Sequence, residues 1–240
     1  MRDLAPIIKN ISMNEMKSLN FCMPAVVIGI DRIKDGLIDV APVIDKFTST
    51  LGYTEYEPIH DVPIITPNTS TTSIQVPINQ GDGVLLLFTQ SDPSEFIQGL
   101  KDAHEPNTNS FLSLDNAVAL VGFNPYQESV YNNNNYKNEL DNTALNIVHN
   151  KNTENEVMMS FKSDGTMSLI CNKVNVSCKQ ADVKADTVSV DSSVIDAKNS
   201  LIKTDNDVSI KGKSVYTFMT THTHGGVMSG GSNTAPPNPL

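Results

Sequence analysis

From Cys22 onward, short runs of β-branched and apolar residues are punctuated by Gly, Pro, Asn and Asp, and no long helical period is sustained. Residues 22–30 and 37–44 flank Asp35-Gly36, a strong hairpin signal. Residues 53–58, 59–65 and 74–78 read as further strands. Gly81-Asp82-Gly83 then turns the chain into Val84-Leu85-Leu86-Leu87-Phe88, whose unbroken apolarity marks a strand covered on both faces. Residues 91–116 read as loop and short helix, and 117–123 as a closing strand. Five to six strands over 21–123 match a small Greek-key barrel of the OB type. Before it, residues 1–20 form a polar arm, with helical character around Asn14-Glu15-Met16-Lys17. After it, 124–143 read as a linker, because Asn124-Pro125 breaks the last strand and Tyr131-Asn132-Asn133-Asn134-Asn135-Tyr136 has no packing pattern.

The pattern then changes. Leu145, Ile147 and residues 156–161 lead to Ser163-Asp164-Gly165, a second hairpin-type turn, and on to Met167 and Leu169. Next comes a repeat of i, i+2 pairs: Val174/Val176, Ala181/Val183, Val188/Val190, Ile195/Ala197 and Ile202/Thr204, each starting seven residues after the last. Val208/Ile210 comes one residue early and Val215/Thr217 resumes the spacing. A period of seven suggests a coiled coil, but a heptad seam needs alternating steps of three and four. Residues two apart share a face only on a strand, and the intervening Asp, Ser, Asn and Lys favour turns. Two small apolar side chains per repeat cannot make a dry core within one chain, and the strand edges would stay unpaired. Three intertwined chains satisfy both needs, so residues 144–218 predict a trimeric β-helix. A single-chain β-helix is the alternative, with longer turns.

The repeat ends at Thr221-His222-Thr223-His224-Gly225-Gly226, with Pro236-Pro237 further on. On an extended backbone His222 and His224 face one side. Three copies on an axis would aim six imidazoles at one point, an octahedral count. Imidazole suits Zn, Cu, Fe and Ni, but zinc prefers four ligands, which leaves iron as the most available candidate and other transition metals open. With no open position, such a site at 219–240 is structural. A metalloenzyme would need a third ligand and an open position. His60, His104 and His149 lie in unrelated segments and read as surface residues, and no catalytic set stands out.

Composition narrows the field. Hydrophobic content is 39% and Trp is absent, which suits repetitive β structure better than a thick enzyme core. The formal net charge is −10, and three copies would carry three times that, −30. A chain this acidic is not built to hold nucleic acid. Cys22, Cys171 and Cys178 show no disulfide or zinc spacing and read as reduced, buried thiols. No apolar stretch follows the early Arg2, so a signal peptide is not expected, nor is any run of the roughly 20 apolar residues of a transmembrane helix. Synthesis in a cytoplasm is expected.

A small barrel, a repetitive β segment and a terminal Thr-His-Thr-His-Gly-Gly followed by Pro-Pro resemble the central spike of contractile bacteriophage tails, the membrane-piercing baseplate proteins. The resemblance implies a homotrimer seated on the baseplate hub through its barrel and located in the virion. It implies an iron ion shared on the axis, with His222 and His224 as ligands here. It also implies a mechanical function, piercing the host outer membrane, without enzymatic activity. Some family members carry a lysozyme domain between barrel and helix, where this chain has only the linker. A trimeric fibre tip or adhesin that binds a surface glycan is the alternative; it shares the rod but needs a binding head.

Overall fold

The structure, a computed structural model, describes residues 9, 19–48, 52–196, 198, 204, 208–211 and 213–221. The expected helical turn at 14–17 and the repeat residues Ala197 and Ile202 lie outside them. Contacts divide the chain into two units, residues 1–176 and 177–240.

In β1 (Cys22–Gly29) alternate side chains Met23, Ala25 and Val27 are buried, as period-two pleating requires. A short 3₁₀ turn follows and closes on Gly36 in the left-handed region, and β2 (Leu37–Pro42) returns antiparallel to β1. The hairpin predicted at Asp35-Gly36 is therefore present, with a longer turn than two residues. Strands β3 (Lys46–Thr48) and β4 (Gly52–Thr54) form a small hairpin, shorter than the strand predicted over 53–58. β5 (Ile59–Ile65), β6 (Gly83–Phe88) and β7 (Ala117–Val121) complete a closed barrel in the order β1-β2-β5-β7-β6. β7 inserts between β5 and β6 and runs parallel to β5, while the other neighbours are antiparallel. This is the five-stranded, OB-like Greek key that the pattern predicts.

The barrel interior is filled by Val27, Ile38, Val40, Val62, Val84 and Leu86, all nearly inaccessible. Large faces small across the β6–β7 pair: Leu86 opposes Ala119 and Phe88 opposes Ala117. Buried Asn116 is satisfied by its loop, donating to the carbonyls of Thr89 and Ser110 and accepting from Ser110 Oγ at 2.8 Å. Residues 74–78 form no strand, contrary to the pattern. The closed barrel has no free edge to offer them, and Pro77 lacks a donor. The segment 91–116 is loop with one short α-helix, α1 (Ser94–Ile97), and a 3₁₀ turn at Leu114–Asn116.

Residues 124–143 contribute more than a connection. Tyr136 and Leu140 are buried against Met158, with Val148 beside them. They cover one face of a three-stranded meander of β8 (Leu145–His149), β9 (Val157–Phe161) and β10 (Met167–Ile170). The turn predicted at Ser163-Asp164-Gly165 joins β9 to β10. On the opposite face, register sets Leu145, Phe161 and Met167 in one row and Ile147, Met159 and Leu169 in the next.

Among the described residues, 171–196 form no strand, and Val176, Val183 and Ile195 are about three-quarters exposed. A strand needs a paired edge, and this stretch finds none among the described residues. Further on, β11 (Ser209–Ile210) and β12 (Lys213–Ser214) pair as a minimal hairpin. Val215–Thr221 is a short helix, α2, where the Val215/Thr217 pair predicts extended chain. Local hydrogen bonds explain the difference: Ser214 Oγ accepts from the Thr217 N–H at 2.8 Å, and Thr220 Oγ1 donates to the Tyr216 carbonyl at 2.9 Å.

Candidate functional site

His222 and His224 lie outside the described residues, so the candidate metal site is known from its donor chemistry and from the segment that leads to it. Residues 219–240 contain no Asp, Glu, Cys, Lys or Arg. The only strong metal donors there are the two imidazoles, a set that fits a borderline transition metal and not a hard cation. α2 ends on Thr221, immediately before the first of them.

The remaining histidines stand apart. His60 is exposed and meets Asp39 at 3.2 Å on the barrel. His104 is exposed and its Nδ1 lies 2.8 Å from the Asp102 carbonyl. His149 ends β8, exposed. Among the described residues no three His, Cys, Asp or Glu side chains are grouped to hold a metal. None of the three cysteines is in a disulfide, but they are not buried as expected: Cys22 and Cys178 are exposed and Cys171 partly so. Cys22 sits at an outward position of β1, and the other two lie in the strandless stretch after β10.

The barrel carries a cleft of about 610 Å³ between β5 and the α1 loop, lined in part by Glu57, Asp61, Asp92 and Asp115. Asp92 is committed to its own loop: it accepts from the Ser94 N–H and from Thr108 Oγ1 at 3.0 Å, bonds that lower its pKa. The carboxylates give this part of the cleft a negative lining.

Glu156 is a structural feature that the hydrophobic pattern does not announce. Its carboxylate is 4% exposed and accepts from the backbone N–H groups of Lys137, Asn138 and Asn152 at 2.8–3.0 Å and from Asn138 Nδ2 at 2.9 Å. Burial alone would raise its pKa, but these four donors outweigh burial and bring it down to about 2. The side chain thereby fastens 137–138 and the 150–153 turn onto β9, which is why Tyr136 and Leu140 are buried. No periodicity signals such a clamp. Among the described residues no helix is long and apolar enough to cross a membrane.

The barrel and the tip each match a known family model. Residues 23–122 match the phage protein Gp138 N-terminal domain, a span that coincides with β1 to β7. Residues 219–238 match the GpV Apex motif and contain both His222 and His224. The fold and the tip thus define a phage tail protein with a barrel at its head. Together the two matches support a phage spike protein family. The Apex motif is in general a metal-binding tip motif. Comparison with curated proteins gives no match.

Proposed function

We propose that this phage spike protein is the envelope-piercing needle of a contractile tail, carried in the virion as a homotrimer. In this reading the barrel at 21–123 seats on the baseplate hub, 144–218 winds with two further copies into a β-helical shaft, and 219–240 closes the point. The observation that carries it is the Apex match over Thr221-His222-Thr223-His224, after a repeat in which Val176, Val183 and Ile195 stand about three-quarters exposed. His222 and His224 of three chains would hold one transition-metal ion, iron by ligand count. When bound, the ion cross-links three chain ends where the strands stop and fray. Function is then mechanical: sheath contraction drives a narrow, interwoven rod through the host outer membrane, and stiffness replaces catalysis.

Mass in solution together with elemental analysis tests this. The expected result is three chains per particle and one metal ion per three chains. The metal is lost in the His222→Ala, His224→Ala variant, and in acid, where imidazole protonates and ceases to be a ligand. A single-chain particle without metal would overturn the proposal.

A further inference from the structure

A sheet that faces water on one side alternates apolar-in with polar-out, and the outer side of β1, β6 and β7 breaks that rule. Register sets Cys22, Leu87 and Val118 in one outward row and Pro24, Leu85 and Leu120 in the next, with no charged residue among them. Elsewhere the outer side carries charge, with Asp39 on β2 and His60 on β5. The described residues leave Cys22 exposed and Leu120 41% exposed, and the other four only partly covered. Beside the rows, Leu19, Cys22, Pro24 and Ile44 line a groove of about 260 Å³, at the place where residues 1–18 join the barrel. A continuous apolar surface of this kind marks an interaction site.

We propose that residues 4–11 of the N-terminal arm form an amphipathic helix that docks on this outer face of their own barrel. The inference stands apart from the spike reading. Leu4, Ile7, Ile8 and Ile11 are spaced i, i+3, i+4 and i+7, which is one stripe of a helix. Pro6 falls in its first turn, where no intrahelical donor is needed. Lys9, which the structure describes, is helical and exposed, and the 3.6-residue period puts it on the side opposite the stripe. Two turns of helix are marginal alone in water and need an apolar surface to pack on. The dimensions fit: residues 4–11 span about 12 Å as helix, and β1 from Cys22 to Val26 covers about 13 Å. Residues 12–21 can reach up to ~33 Å, enough to turn the chain back over the barrel. The exit point is fixed, because the Asn20 N–H and Nδ2 both donate to the Leu112 carbonyl, at 3.3 and 3.1 Å. A segment tethered this closely meets the face at an effective concentration on the order of millimolar, ahead of any separate partner. Charge agrees: residues 1–18 hold three basic and two acidic side chains, in a chain of net charge −10.

Native Cys22 is the reporter for the test, in full chains carrying Cys171→Ser and Cys178→Ser. With oxidised glutathione, at least one of Ile7→Cys, Ile8→Cys and Ile11→Cys should join Cys22 within the chain, read by peptide mapping and non-reducing electrophoresis. Lys9→Cys, on the polar side, should not. Ile8→Asp, Ile11→Asp should speed alkylation of Cys22 at least tenfold, a readout that needs no new thiol, and Ile8→Val, Ile11→Val should leave it unchanged. Lys9→Cys joining as readily as the stripe positions would reveal an undocked arm. Bonds between chains would assign the face to a second copy, and an alkylation rate indifferent to the Asp pair would mean that the arm leaves the face bare. Each of these results would overturn the inference and leave the spike reading standing.

Discussion

At the residue scale, Glu156 and Gly83 carry the sharpest consequences. Glu156 stays charged in a buried site because four donors aim at it, and its folded pKa of about 2 lies below its ordinary 4.5. A depressed carboxylate stabilises the fold fully above its unfolded pKa and loses that contribution as pH falls through the folded one. The window here is from 4.5 down to about 2, and the difference is worth about 3 kcal/mol. Glu156→Gln should therefore destabilise the β8–β10 region by about 2–3 kcal/mol at pH 7. Between pH 4.5 and about 2 the denaturant midpoint should fall less steeply in the variant than in the wild type, the remainder coming from Asp39, Asp92, Asp141 and Asp164, whose hydrogen bonds also lower their pKa. Gly83 is required for space. A Cβ there would lie 2.2 Å from the Phe123 carbonyl oxygen and 2.6 Å from Asn124 Oδ1, which accepts the Gly83 N–H. Gly83→Ala should lower barrel stability by more than about 2 kcal/mol. Asn124→Ala should not rescue it, since the carbonyl remains; thermal melting of the two variants decides.

At the scale of elements, legibility followed the source of the information. β6 was readable from the unbroken apolar run Val84–Phe88, although burial alternates along it: Val84, Leu86 and Phe88 are buried inside the barrel, and Leu85 and Leu87 on the outer face are only partly covered. The same logic predicts that Leu86→Ala, which empties a fully buried site, loses about 3 kcal/mol of barrel stability by denaturant unfolding. Leu85→Ala, on the outer face, should lose clearly less. β1, β2, β5 and β7 were likewise marked by β-branched runs between turn residues. Ile74-Gln75-Val76 carries the same local signal, yet barrel closure leaves no edge for it to join, and edges are a tertiary property. The Val215/Thr217 pair failed as a sign of strand because Ser214 and Thr220 supply local bonds that close a helical turn. The apolar rows of the meander were visible only as separate pairs, since their alignment depends on register across a turn. The clamp at Glu156 joins groups up to 19 residues apart with no pattern at all. The tip was the reverse case: a motif plain in the sequence, at residues 222 and 224, beyond the described chain.

At the scale of the whole molecule, charge and topology set how copies meet. Bringing −10 onto −10 opposes assembly, and the opposition is screened once the Debye length falls from ~30 Å at 0.01 M salt to ~8 Å at 0.15 M. The proposed three-chain particle should therefore tighten several-fold over that range, measured as the concentration at half dissociation. A complex held by opposite charges would weaken instead. Topology adds a consequence in time. The barrel strand that comes last in sequence, Ala117–Val121, sits in space between two earlier ones. On the ribosome, nothing can close until Val121 clears the exit tunnel, and at that moment Leu145 and all that follows are still inside it or unmade. A nascent chain thus closes its barrel before it presents the segment that, in the proposed three-chain reading, copies share. In that reading, copies made on one polysome would meet with their barrels already closed.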